Sequence, residues 1–165
     1  MKKMENSLNI LHFCIYKFHY NLHLGFNKVN PFMLIHKLPF QKRRYEKLGI
    51  DIIGNINQAF GDRRFGLSIM VSGGTILGIL FILILAVANI VIKTMNLDLT
   101  LSIGHFLMFV LLSSATCYSF VFKREKYLYY FELYERWTKT EKMKYGWSSF
   151  MFIMAVFLLL VLGFI

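Results

Sequence analysis

Apolar and polar positions follow two different patterns along this chain. Before residue 65, apolar residues recur every three or four positions among polar ones; beyond it they merge into long charge-free runs separated by short polar stretches. The first run, Gly66–Ile92, holds 27 positions without an ionisable residue and is bracketed by Arg64 and Lys93. A helix of that length extends about 40 Å at roughly 1.5 Å per residue, more than the ~30 Å hydrocarbon core of a bilayer. The second run, Leu99–Phe122, has 24 residues, and His105 is its one titratable side chain of note. The third, Tyr145–Ile165, has 21 residues and no charge. The pattern predicts three transmembrane helices, over about 66–92, 99–122 and 146–165. The six residues 93–98 between the first two force an antiparallel hairpin.

Shorter periodicities predict the remaining elements. Leu8, Leu11, Ile15, Phe18 and Leu22 form one stripe of a helix over about 7–24, with His12, Tyr16, His19 and His23 in a second stripe beside it. Asn30-Pro31 has the form of a helix start, and Pro39 is expected to stop the helix that begins there. Leu48, Ile52, Ile56 and Phe60 predict one amphipathic helix over 45–60. Lys123–Lys144 is polar and charged, and is expected to continue the second span as a cytosolic helix. Its Tyr127, Tyr130, Phe131, Tyr134 and Trp137 share one face. The expected fold is therefore an all-α membrane protein: a basic, amphipathic N-terminal region over 1–65, then a three-span helical domain over 66–165.

Charge adds an orientation. The 165 residues include 19 Lys+Arg against 9 Asp+Glu, a net charge of +10. Residues 1–65 hold 11 of the basic residues, residues 93–98 one, and residues 123–147 seven. The positive-inside rule then places the N-terminus and the 123–147 segment in the cytoplasm, the 93–98 turn outside, and the C-terminus outside. Lys42, Arg43 and Arg44, with Arg63 and Arg64, are expected at the inner membrane surface against anionic lipid. With 56% hydrophobic residues and a mean hydropathy of +0.51, the basic excess points to a bilayer and away from nucleic acid. The basic and then apolar N-terminus resembles a secretion leader. Lys17, His12 and His19 interrupt it, however, and no small-x-small cleavage site is present after it, so secretion is not expected. Cys14 and Cys117 form no CxxC or Cys/His cluster.

Candidate chemistry is sparse. Ser72, Gly73, Gly74 and Gly78 make a small-residue patch containing a GxxxG, a surface on which helix backbones approach closely. His105 is the ionisable side chain within a span and a functional candidate on that ground, with Asn89 on the same outer side of the hairpin. The aromatic stripe 127–137 is an interaction surface, whose simplest use is packing against the N-terminal region. His19 and His23 have the i, i+4 spacing that can put two imidazoles on one metal, but no carboxylate accompanies them, and no metal or cofactor is expected. There is no Walker loop, GxSxG, HExxH or CxxC. The pattern is that of a non-catalytic small subunit or accessory factor of a membrane complex, joined to other membrane subunits or to itself. A pore-forming protein of holin type or a membrane-disrupting effector is the alternative, and a histidine-dependent membrane enzyme a third reading.

Overall fold

The computed structural model describes residues 2–165. All regular structure among them is helical. Three helices are long and apolar enough to cross a membrane: Leu67–Thr94, Ile103–Glu135 taken through a kink, and Lys139–Phe164.

The first helix, α1, runs from Lys2 to Val29, longer at both ends than the apolar stripe that announces it. No proline interrupts it before Pro31, and a lone glycine such as Gly25 costs only about 1 kcal/mol in a helix interior. Asn30 then caps α2 (Pro31–His36), accepting a 3.0 Å hydrogen bond from the Phe32 N–H, with Pro31 in the first turn. The helix that begins at Pro31 stops before Pro39, as expected, and Pro39 also opens the next one. It sits in the first turn of α3 (Pro39–Leu48), where its missing N–H has no intrahelical partner to lose. The single helix expected over 45–60 is two. Gly49 closes α3 at φ 65°, a left-handed conformation that side chains resist, and Asp51 caps α4 (Ile52–Gly61) by accepting from the Gly54 N–H at 2.8 Å.

The long apolar helices begin with α5 (Leu67–Thr94). Next, α6 (Ile103–Cys117) starts four residues later than the apolar run. Ser102 is its cap, donating its N–H to His105 Nδ1 at 3.1 Å. After Cys117 the helix widens into a π-turn over Tyr118–Phe122, then breaks at Arg124 (φ 58°) and Glu125 (φ 53°). The cytosolic helix expected over 123–144 is therefore not continuous. It consists of this kink, α7 (Lys126–Glu135), a turn, and the start of α8 (Lys139–Phe164). A capping box sets the last boundary: the Glu141 N–H donates to Thr138 Oγ1 at 3.3 Å and the Thr138 N–H donates to Glu141 Oε2 at 2.8 Å.

The chain forms two compact units. One joins the first half of α1, through Cys14, to everything from Gly73 onward. Within it α5 and α6 are antiparallel: Phe81 faces Phe106 at 6.4 Å, and Gly73 near the start of α5 meets Phe122 at the far end of the π-turn. The later turns of α5 and α8 approach each other, a Cβ at Gly163 falling 3.1 Å from Asn89 Cβ.

The other unit, Ile15–Ser72, fastens the second half of α1 to α4 and the base of α5. Tyr16 donates to the Gly61 carbonyl at 2.6 Å, His23 stacks on Phe60 at 3.6 Å between centroids, and Asn27 donates to Asn57 Oδ1 at 3.1 Å.

Two local features are testable by thermal unfolding of the detergent-solubilised chain. Thr138→Ala removes a helix cap and is expected to destabilise by about 1 kcal/mol. Arg124→Gly relieves a left-handed non-glycine residue and is expected to stabilise by about 1 kcal/mol.

Candidate functional site: an aromatic cradle around His12

Asn9, His12 and Phe13 occupy one side of α1, and all three are buried. Their neighbours come from the π-turn and α7. The His12 imidazole lies 5.1 Å from the Phe131 ring, 5.6 Å from Tyr127 and 5.5 Å from Phe122, centroid to centroid. Phe13 extends the cradle, meeting Phe131 at 5.3 Å, Tyr134 at 5.6 Å and Trp137 at 5.9 Å, each edge to face. Trp137 in turn stacks on Tyr145 at 4.3 Å, carrying the aromatic row across the turn into α8.

Polar contacts ring this apolar centre. Asn9 donates through Nδ2 to the Glu5 carbonyl at 2.8 Å and to the Phe120 carbonyl at 3.0 Å. The second bond satisfies a carbonyl of the π-turn, whose widened spacing alters the usual i to i−4 pairing. Lys126 donates to Glu5 Oε2 at 2.8 Å, Tyr130 donates to Glu5 Oε1 at 3.2 Å, and Tyr134 donates to Asn6 Oδ1 at 2.7 Å. The Lys126 hydrogen bond holds the Glu5 carboxyl below its ordinary range. Gly73 admits the edge of Phe122: a Cβ there would lie 2.9 Å from Phe122 Cζ.

His12 is the exception to this satisfaction. Neither Nδ1 nor Nε2 has a hydrogen-bond partner, and Asn9 Oδ1 is also unpaired. An unpaired buried polar group costs about 1–3 kcal/mol. Burial alone depresses the His12 pKa from 6.5 to about 3. The imidazole is therefore neutral near neutrality and acts as a polar ring packed among apolar ones. The thiol of Cys14, two residues further along α1, is pushed up by burial and drawn the other way by a hydrogen bond to Ser149.

The other sequence candidates lie apart from this centre. The stripe Tyr127, Phe131 and Tyr134 is turned inward and buried, whereas Tyr130 and Trp137 are partly exposed. His105 is bound at its own helix cap, with Nδ1 2.8 Å from the Ser102 hydroxyl. Asn89 lies against Gly163 of α8, and its buried Nδ2 is unpaired. The hairpin therefore does not join Asn89 to His105. In the small-residue patch Ser72 turns its hydroxyl back to the Ile69 carbonyl at 3.0 Å, and Gly73 meets Phe122. A Cβ at Gly74 or Gly78 would meet nothing within 4 Å.

In the second unit His19 Nδ1 lies 3.0 Å from the Ser68 hydroxyl, and His23 Nε2 lies 2.9 Å from Asn27 Nδ2. No group of three or more His, Cys, Asp or Glu able to hold a metal occurs among the described residues. Lys42, Arg43 and Arg44 lie on α3, and all three are exposed. Arg63 is partly exposed and Arg64 exposed in the turn before α5, where Asp62 Oδ1 accepts the Arg64 and Phe65 N–H groups at 2.6 and 2.7 Å. Sequence reasoning missed Asn9, and grouped His12 with the other histidines. The available signal was a polar residue inside the apolar string Leu8-Asn9-Ile10-Leu11.

No family model, curated protein or solved structure matches this chain.

The cradle makes stability pH-dependent in a defined direction. A histidine whose folded pKa lies below its unfolded value contributes stability that is fully present above pH 6.5 and is lost as pH falls toward about 3. Between pH 7 and pH 5 the expected loss is about 2 kcal/mol. Glu5 adds to it only below its ordinary value of 4.5. Chemical denaturation at the two pH values reads this loss directly. His12→Leu fills the same space without an unpaired nitrogen and is expected to remove the His12 share of the pH 7 to 5 dependence at no cost in stability at pH 7. It leaves the contribution of the same sign from His23, whose pKa burial also lowers. Phe131→Ala is expected to cost about 3–5 kcal/mol.

Proposed function

We propose that this chain is a non-catalytic, multi-pass protein of the inner (plasma) membrane that serves as a small subunit or accessory factor of a membrane complex. The observation that carries the reading is the unoccupied face of α5 at Gly74 and Gly78, where added Cβ atoms would meet nothing within 4 Å. Gly73, next to them, is already filled by Phe122. Small residues on an open helix face let a second helix approach until dispersion between backbones becomes substantial. The remaining apolar surface supports the same view: only 11 to 22% of the most apolar stretch of each long helix is buried inside the protein. That surface faces lipid or another helix.

The polar groups that could do chemistry are instead used to assemble the fold. Glu5, Asn9, Tyr130 and Tyr134 tie α1 to the π-turn and α7, while His105 closes a helix cap. In this reading the basic residues of 1–65 and 123–147 face the cytoplasm and anionic lipid, and residue 165 faces outside.

Mild-detergent purification with mass spectrometry of co-purifying chains tests the assignment. A stoichiometric membrane partner, or a second copy, is expected. Its retention should fall sharply in Gly74→Ile and Gly78→Ile, while the acid dependence set by His12 is unchanged. A chain that purifies alone and depolarises membranes on expression would instead identify a pore former.

A further inference from the structure

Between α2, α3 and α4 lies a cleft of about 500 Å³. Its lining combines His36, Lys37, Lys42 and Tyr45 with Ile50, Ile52 and Ile53. We propose that this cleft binds the phosphate headgroup of one anionic phospholipid, with the acyl chains lying on the apolar residues beside it. The inference rests on the proposed placement of residues 1–65 at the membrane surface, and names the partner and the site.

The volume lies within the range of small-molecule sites, which pair an apolar lining with a few placed polar groups. Two lysine ammoniums supply the point charges that phosphate takes. His36 Nδ1 lies 2.7 Å from the Tyr45 hydroxyl, so that with Tyr45 donating to Nδ1 the imidazole keeps Nε2–H as a further donor.

Glu46 and Asp51 balance Lys37 and Lys42 in formal charge within the lining, and the positive excess comes from Arg43, Arg44 and Lys47 on α3, which leaves residues 31–53 at +3. Asp51 is engaged in capping α4, its Oδ1 accepting the Gly54 N–H at 2.8 Å. Glu46 lies 3.9 Å from Lys42, with both side chains more than half exposed, a contact of the kind that contributes little. Glu46 is thus readily displaced from Lys42 by a phosphate.

The surroundings select a lipid over a soluble phosphate. Phe32 is 73% exposed, Phe40 65% and Leu48 60%, in the same α2–α3 segment that carries Lys37, Lys42, Arg43, Arg44 and Lys47. Large apolar side chains interleaved with basic ones are the composition of an element lying in the headgroup layer of an anionic leaflet. A free phosphate ion would leave those side chains in water.

The test uses the full chain purified in mild detergent and exchanged into nanodiscs of phosphatidylcholine with a minor fraction of phosphatidylglycerol. Native mass spectrometry reads the lipid retained. Selective retention of a single phosphatidylglycerol is expected. Lys37→Gln with Lys42→Gln should lower that retention by about tenfold or more, the order expected for two lysines at an anionic surface. Glu46→Gln should raise it, and the equal charge change Lys139→Gln with Lys144→Gln should leave it unaltered. Equal loss in both lysine pairs, or displacement of the lipid by millimolar inorganic phosphate, would overturn the site.

A photo-cross-linking residue in place of Phe40 separates the headgroup site from the surface placement. Lipid capture there without phosphatidylglycerol selectivity rejects the headgroup site and leaves the surface placement standing. No lipid capture in these nanodiscs rejects both.

Discussion

The docking of α1 against α7 is the contact on which the first unit depends. It places a neutral imidazole with two unpaired nitrogens inside a ring of Phe122, Tyr127 and Phe131. That is an unfavourable use of a polar side chain, of the order of 1–3 kcal/mol. Aromatic burial outweighs it: Phe13, Phe131 and Tyr134 are 3%, 0% and 2% exposed, and each such side chain contributes about 1.5–3 kcal/mol on leaving water. The Glu5–Lys126 and Asn6–Tyr134 contacts then fix the register of α1 along that surface.

The irregularities of the backbone arise from this contact. A straight continuation of α6 would carry the aromatic residues of 127–137 onward in line with the span. The π-turn over Tyr118–Phe122 and the left-handed pair Arg124 and Glu125 redirect the chain, so that α7 starts afresh. Each left-handed non-glycine residue costs about 1–2 kcal/mol. Asn9 offsets part of this by satisfying the Phe120 carbonyl, and Gly73 makes room for the edge of Phe122. Substituting Asn9, Gly73 or Phe131 therefore disturbs one connected arrangement, and their effects are expected to be non-additive.

The long apolar helices were legible because charge-free length is a strong, local signal: Gly66–Ile92 became Leu67–Thr94. Breaks were less legible. Gly49 and Asp51 carry ordinary stop and start chemistry, yet the Leu48–Ile52–Ile56–Phe60 periodicity ran straight across them and concealed the boundary. The kink at Arg124–Glu125 had no local signal, since neither residue favours the left-handed region, and tertiary packing imposes it. At the site, the aromatic stripe was readable from its spacing. Its histidine was not, because the row His12, Tyr16, His19, His23 looks uniform in sequence while its first member lies in one compact unit and the others in another. Whether two polar residues meet across a hairpin depends on rotation as well as register, and this is why Asn89 turns to Gly163 and His105 to Ser102.

The proposed role depends on which surfaces are used up and which remain open. The aromatic stripe is consumed in holding α1, and the proposed role uses instead the open face of α5 around Gly74 and Gly78. This division requires that α1 stay docked in the membrane-embedded protein. Hydrogen–deuterium exchange of the full chain in nanodiscs tests that requirement most directly. Slow exchange is expected over residues 8–14 and 127–134 alike, with accelerated exchange in both segments when Phe131 is replaced by Ala. Rapid exchange over 8–14 in the unaltered protein, with 127–134 protected, would contradict the docking.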